Sequence, residues 1–415
     1  MKRHLQLVAL LAVLLPVASG CAAPQRPAII AYYQYDYDYA VDTYRQRAQT
    51  VKEKDEKNTV LVNLKYAGAA IAAGDYLDSL EGLTEASKIM ENVEIGAEQG
   101  QASMVLAHGM RFFKGEPYER ALAYSYMGLI YYRRGDFENA RAALNMALLA
   151  DKSSKNEESP DYREDFTLAH YLIGKSYLKL GEADNAQISF DKVKKYMPGF
   201  TYADPAKIKD SNFTLVLEMG CGPMKRPDPF VGTVDTIHAC PYQERYAEVY
   251  LNETLLGRTA KVVDMNQQAK TSGSSTRDTA QATKGVAIAV AKQLPFVGGL
   301  IGMATHFSGM GHADVRTWGM LPGEVHVLEG KVAPGTYTVQ IKFFDEKGNE
   351  LERYRQTHYY VTVRESEPRE LQGERVYLIK GGVDRHNVLK AQSALYLHHQ
   401  ATMQAGMNQL GELND

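Results

Sequence analysis

A single tryptophan and three cysteines stand among 415 residues, and neither charge sign dominates: 47 Lys and Arg face 50 Asp and Glu, a net charge of −3. So few cysteines exclude a disulfide-dense scaffold, and two of them with His238 alone do not supply the four ligands of a structural zinc site. No block of Lys and Arg accumulates, so the chain lacks the footprint that displaces counterions from nucleic acid. No apolar run reaches the roughly 18 residues of a transmembrane helix. Missing too are GxSxG, HExxH, a Walker loop, GxGxxG after a strand and Cys-xx-Cys, and the 11 histidines are scattered. These absences point to a protein that is not an enzyme and needs no cofactor, metal or nucleic acid. What is plentiful is tyrosine, 27 against 12 Phe. Tyr packs a ring while keeping its hydroxyl wet, as helical repeats and recognition surfaces require. At 45% apolar and 23% charged the chain is globular, long enough for two or three domains.

The start gives the compartment. Lys2 and Arg3 precede the apolar run Leu5 to Val17, the layout of a secretory signal. Its end, Ala18-Ser19-Gly20-Cys21, resembles the bacterial lipobox, with Ala18 where Leu is usual. The resemblance implies cleavage after residue 20, lipidation of Cys21 and anchoring in a bilayer. Ala22 rather than Asp follows the cysteine, which favours the outer membrane, facing the periplasm. In that oxidising space the remaining pair, Cys221 and Cys240, is expected to form a disulfide across a Pro/Gly-rich turn. Residues 21–58 include the run AYYQYDYDYAVDTYRQRAQT, whose Tyr/Asp alternation fits either an extended tether or a first helix.

Residues 59–200 contain repeats. One copy has Tyr124, Met127-Gly128 and Tyr131, then Ala140, Leu144 and Ala147; the other has His170, Ile173-Gly174 and Tyr177, then Ala186, Phe190, Val193 and Pro198. Gly135-Asp136 and Gly181-Glu182 mark the turns, and a weaker copy runs from Leu64 and Gly68 through Gly74-Asp75-Tyr76 to Leu83 and Ala86. Small residues facing large ones in fixed register are the pattern of tetratricopeptide (TPR) hairpins, whose period is about 34 residues. FKGEPYERALAYSYMGLIYYRRGDFENARAALNMA resembles an uncharacterised family of TPR-containing bacterial periplasmic lipoproteins. That resemblance spans most of the mature chain and implies architecture and location, with peptidoglycan synthesis as a neighbouring process. Within KGEPYER, Gly115 ends one segment, Pro117 opens the next helix, and Glu116 or Glu119 suits its positive N-terminus. TPR arrays present their first helices along a concave groove. The residues beside the packing positions are Tyr126, Leu129, Tyr132 and Arg133 in one copy and Leu172, Lys175 and Lys179 in the other, a groove suited to an acidic or extended peptide.

From residue 206 to 382 the period changes to two. Phe213, Leu215 and Leu217, then Ala247, Val249 and Leu251, then Tyr337, Val339, Ile341 and Phe343 each share a face, and Pro334-Gly335 and Lys347-Gly348-Asn349 supply turns. This predicts an antiparallel sandwich. An apolar, Gly-rich insertion at 285–311 fits either a buried helical hairpin or a membrane-apposed surface. Asp314, Arg316 and Trp318 would share one face of a strand leading into the sandwich. Residues 383–415 return to helical spacing as a tail. The expected class is α+β: an N-terminal α-helical TPR-like array followed by a β-rich, sandwich-like domain. The expected role is a membrane-anchored scaffold that binds envelope proteins through the groove. A regulator of peptidoglycan synthesis or envelope assembly, and a carbohydrate-binding or hydrolytic protein using the β-domain, are the alternatives.

Overall fold

The computed structural model describes residues 27–91, 112–152, 165–227, 235–271, 314–363 and 375–381. The signal segment with Cys21, the insertion at 285–311 and the tail at 383–415 lie outside the described residues.

The Tyr-rich run is helical rather than an extended tether. It forms α1 (Ala28–Tyr33) and α2 (Tyr37–Lys54), broken between them at Asp36, whose carboxylate accepts the Tyr39 N–H as an N-cap. Tyr32, Tyr37 and Tyr44 are buried, so the aromatic period follows the inner stripe of the helices. Three hairpins follow: α3 (Thr59–Ala73) with α4 (Tyr76–Met90), α5 (Pro117–Arg133) with α6 (Phe137–Lys152), and α7 (Thr167–Lys179) with α8 (Ala183–Tyr196). In the second and third, the expected close approach is present. A Cβ on Gly128 would lie 2.5 Å from Leu144 Cγ, and one on Gly174 would lie 2.7 Å from the Phe190 ring. The first hairpin reverses this arrangement. Its touching glycine is Gly82 on the second helix, against the Asn63 carbonyl and Ala67, while Gly68 faces a different part of the chain.

After the short helix α9 (Pro205–Lys209) come β1 (Phe213–Met219), β2 (Met224–Pro227), β3 (Asp235–His238), β4 (Tyr246–Leu251), β5 (Thr254–Arg258) and β6 (Ala260–Asp264). Helix α10 (Met265–Thr271) precedes β7 (Glu324–Gly330), β8 (Gly335–Phe344), β9 (Gln356–Val363) and β10 (Arg375–Lys380). Two four-stranded sheets form, ordered β10-β1-β7-β6 and β5-β4-β8-β9, beside the separate β2–β3 hairpin. Between them Phe213, Leu215, Leu217 and Met219 meet Ala247, Val249, Ile341 and Phe343, the sandwich that the alternation predicts. Two features depart from it. β10 runs parallel to β1, and every residue of β1 is buried. The reason for the second is a third layer: Val216, Val325 and Val327 on the far face of the first sheet join the helical core. A strand covered on both faces has no solvent side for its polar residues.

Candidate functional site

All seven groove candidates lie on first helices, and five of them are buried, with the protein's own first sheet against Tyr126 and Lys175. Tyr126, Leu129, Tyr132, Leu172 and Lys175 are each at most 1% exposed, so they line no open groove. The Tyr126 hydroxyl donates to the Glu218 carboxylate of β1, and burial together with the Glu218 charge pushes the Tyr126 phenol well above its ordinary pKa. The Lys175 ammonium donates to Glu329 of β7 and to Thr214 of β1, both at 2.7 Å, and lies 5.6 Å from the centre of the Tyr132 ring. Glu329 accepts in addition from the Tyr171 hydroxyl, from Ser211 at 2.7 Å and from Thr214 at 2.9 Å. A buried ion pair survives only where hydrogen bonds replace the lost water, and these four partners do that. Glu218 is met from its other side by Lys380 of β10 at 3.1 Å. Burial alone would lower the Lys380 ammonium pKa, but the Glu218 charge and the Tyr32 ring oxygen raise it well above the ordinary lysine value.

Arg133 and Lys179 are the two candidates left partly exposed. Arg133 stacks its guanidinium 3.7 Å from the centre of the Tyr76 ring, joining the second hairpin to the first. Lys179 sits in the last turn of α7.

A second occupant is the segment 314–321, which is irregular rather than a strand. The expected Asp314–Arg316 ion pair is present at 2.6 Å, and the Arg316 guanidinium also donates to the Asn58 side chain at 2.8 Å. Trp318 does not continue toward the sandwich. It is 1% exposed, meets the Tyr126 ring edge to face at 6.3 Å, and fills the room above Gly68, where an added Cβ would lie 3.0 Å from the indole nitrogen. Glu119 holds the segment's backbone: one carboxylate oxygen accepts the Trp318 N–H at 2.6 Å and the Thr317 hydroxyl at 2.8 Å, while the other reaches back to the Glu116 N–H at 2.7 Å. Burial pushes the Glu119 carboxyl up, against the pull of Lys225 and of these N–H donors. From α1, the Tyr32 hydroxyl donates to the Met320 carbonyl at 3.4 Å and Tyr33 donates to Gly319. The helical array thus grips an irregular stretch of its own chain by both backbone and side chain.

The predicted disulfide is present between Cys221 and Cys240, with 5.5 Å between their Cα atoms. Beside it, Lys225 of β2 forms a largely buried ion pair with Glu116, the N-cap of α5. On the outward face of the second sheet, the Tyr246 ring lies between Phe344, stacked at 4.9 Å, and the Arg258 guanidinium at 3.2 Å, and Lys342 covers Tyr250 at 4.3 Å.

Sequence reasoning missed Glu119 as a ligand of backbone, and Glu218, Glu329 and Lys380 altogether. No local signal marked Glu218: in FTLVLEM it alternates with Phe213, Leu215, Leu217 and Met219, as a solvent-facing residue of a half-buried strand does.

No family model matches the chain, and no curated protein matches it. Among solved structures it is similar to two described as crystal structures of MamA. One is 19% identical, with a TM-score of 0.30 over 43% of this chain and 80% of that one. The other is 20% identical, with a TM-score of 0.29 over 42% of this chain and 72% of that one. Scores this low leave the hairpin assignment to rest on the glycine contacts above.

Proposed function

We propose that the protein is a non-enzymatic interaction scaffold of the bacterial cell envelope, held to the outer membrane through acylated Cys21 and facing the periplasm. The observation that supports it is the helical-hairpin array itself, whose second helices carry exposed apolar side chains. The first helices α3 and α7 touch strands β10 and β6. On the second helices Leu77 is 68% exposed, Leu149 45% and Ile188 59%. Each of these helices thus offers one large exposed apolar side chain, which in this reading anchors a protein partner. The partner surface in this reading is therefore the outer face of the array, and the inner face is a built-in brace. Regulation of peptidoglycan synthesis or envelope assembly is the same scaffold given a particular target.

Crosslinking and co-purification of the full-length protein from intact envelopes tests the reading, with Leu77→Ser/Ile188→Ser as the comparison. Loss of the captured proteins in that variant supports it; capture at wild-type strength moves the partner surface elsewhere. Cys21→Ser should leave the protein soluble in the periplasm or uncleaved, and unchanged membrane fractionation with palmitate labelling would remove the anchor from the proposal.

A further inference from the structure

We infer that the Cys221–Cys240 disulfide is a redox latch on the Trp318 segment: closed, it keeps the segment in its slot against α3 and α5, and reduction by a dithiol releases it. The inference does not depend on the scaffold reading.

Two contacts tie the bridge to the slot. Gly222, next to Cys221, donates its N–H to the Leu321 carbonyl at 2.8 Å, and a Cβ there would lie 2.5 Å from Leu321 Cβ, so the two backbones touch. On the other arm of the bridge, the Tyr242 ring, two residues after Cys240, lies so close over Gly220 and Gly323 that a Cβ on either would clash with it. Gly323 in turn donates its N–H to the Met219 carbonyl at 2.8 Å. The end of the Trp318 segment is therefore held between the two chains that the disulfide joins.

A third contact runs through the hairpin. β2 and β3 pair only with each other among the described strands, and the ribbon is held to the rest of the fold by α10 and the core contact of Ile237 on the β3 side. The bridge lies just outside both strands, and β2 carries Lys225, whose ion pair with Glu116 has side chains only 6% and 14% exposed. Glu116 is the N-cap of the helix whose Glu119 holds the Trp318 N–H. With the hairpin frayed, Lys225 leaves a buried carboxylate behind, and the α5 N-terminus that grips Thr317 and Trp318 loses its cation neighbour.

The chemistry is thiol–disulfide exchange. A thiolate of the dithiol attacks one cysteine sulfur, the Cys221–Cys240 bond breaks, and the second thiol closes a cyclic disulfide on the reductant. Two electrons pass to the protein, and the two cysteine sulfurs end as thiols with two protons. Both cysteines are partly exposed, so the reductant has access.

Trp318 is the only tryptophan, so its fluorescence reports the slot without a label. Full-length purified protein is treated with dithiothreitol under native conditions, and alkylation followed by mass measurement confirms both free thiols. The expected result is a red shift of emission and a several-fold rise in acrylamide quenching, with far-UV circular dichroism retained and reversal on reoxidation. Cys221→Ser/Cys240→Ser should show the shifted spectrum from the start and ignore the reductant. Complete alkylation with unchanged emission and quenching overturns the inference. So does a shift that arrives only with loss of the circular dichroism signal, which would make the bridge a general staple. Should the double variant fail to fold, Lys225→Ala in the oxidised protein gives the second reading: quenching should rise, and wild-type quenching there overturns the coupling.

Discussion

Toward the second sheet, β1 and β7 present Phe213, Leu215, Leu217 and Leu328; toward the helices the same two strands present Thr214, Glu218 and Glu329 beside Val216, Val325 and Val327. Both faces are buried, yet one is apolar except at its rim, where Glu324 and His326 pair at 2.8 Å, and the other carries two carboxylates, one toward each end of the β1–β7 pair, with Val216 and Val327 between them. The apolar face gains free energy from any close-packed partner, because burial of hydrocarbon has no direction. The polar face does not. Glu329 placed one residue out of register would bury a carboxylate without Lys175, Ser211, Thr214 and Tyr171, so only one docking of helices on sheet satisfies it. The sandwich gains stability without fixing register, whereas the helix–sheet contact adds Val216, Val325 and Val327 to the helical core and restricts the register through its carboxylates.

The largest effects should come from breaking each face at a buried side chain. Glu329→Leu strands a buried ammonium at Lys175 and should cost about 3–5 kcal/mol, read by chemical denaturation. Phe343→Ala on the apolar face should cost about as much, ~3–5 kcal/mol, through lost transfer energy and a cavity. The two faces then separate on rescue. Adding Lys175→Met to Glu329→Leu should restore stability to wild type or above, as buried pairs replaced by apolar residues do, whereas no change of charge repairs Phe343→Ala. A double variant as unstable as Glu329→Leu alone would mean the pair contributes net stability and not register.

A smaller effect is expected from Tyr126→Phe, which removes one donor from Glu218 and leaves Lys380; about 1.5–3 kcal/mol is the usual scale for a hydrogen bond to a charged group. The rim of the apolar face should announce itself through pH. Burial would raise the Glu324 carboxyl, but His326 and Lys261 hold it down to about 2, below its ordinary 4.5. The unfolded chain therefore binds the extra proton between those values, and stability present above pH 4.5 should be lost as pH falls toward 2. Melting temperatures measured across that range should fall less steeply in Glu324→Gln. Smallest of all, Leu77→Ser or Ile188→Ser on the outer face of the array should change stability by only about 0.5 kcal/mol, since neither side chain is packed.

Much of the fold was legible. The pairs Gly128/Leu144 and Gly174/Phe190 are set by spacing within one hairpin, and alternation at Phe213–Leu217 or Val339–Phe343 marks strands wherever it occurs. The capping role of Glu119 was visible for the same reason, being three residues from Glu116. Legibility failed where an element meets something distant. Gly68 has the spacing of a hairpin contact and instead makes room for Trp318. Asp314 and Arg316 have the spacing of strand neighbours, and they pair without a strand because their guanidinium and carboxylate meet across one residue in irregular backbone. The Tyr/Asp run read equally as tether or helix, and the burial of Tyr32 against the Trp318 segment and Lys380 accounts for the helix.

The candidate groove divides along the same line. The sequence by itself determined which residues would lie on the inner face of the hairpins, since helical periodicity is local and Tyr126, Leu129, Leu172 and Lys175 follow from it. Only the tertiary structure decided that this face is occupied by the chain's own sheet and Trp318. Lys175 and Glu329 are 154 positions apart, and Glu119 and Trp318 are 199 apart. No local rule joins residues at such separations, and a period of two cannot tell a strand's wet face from a second buried one.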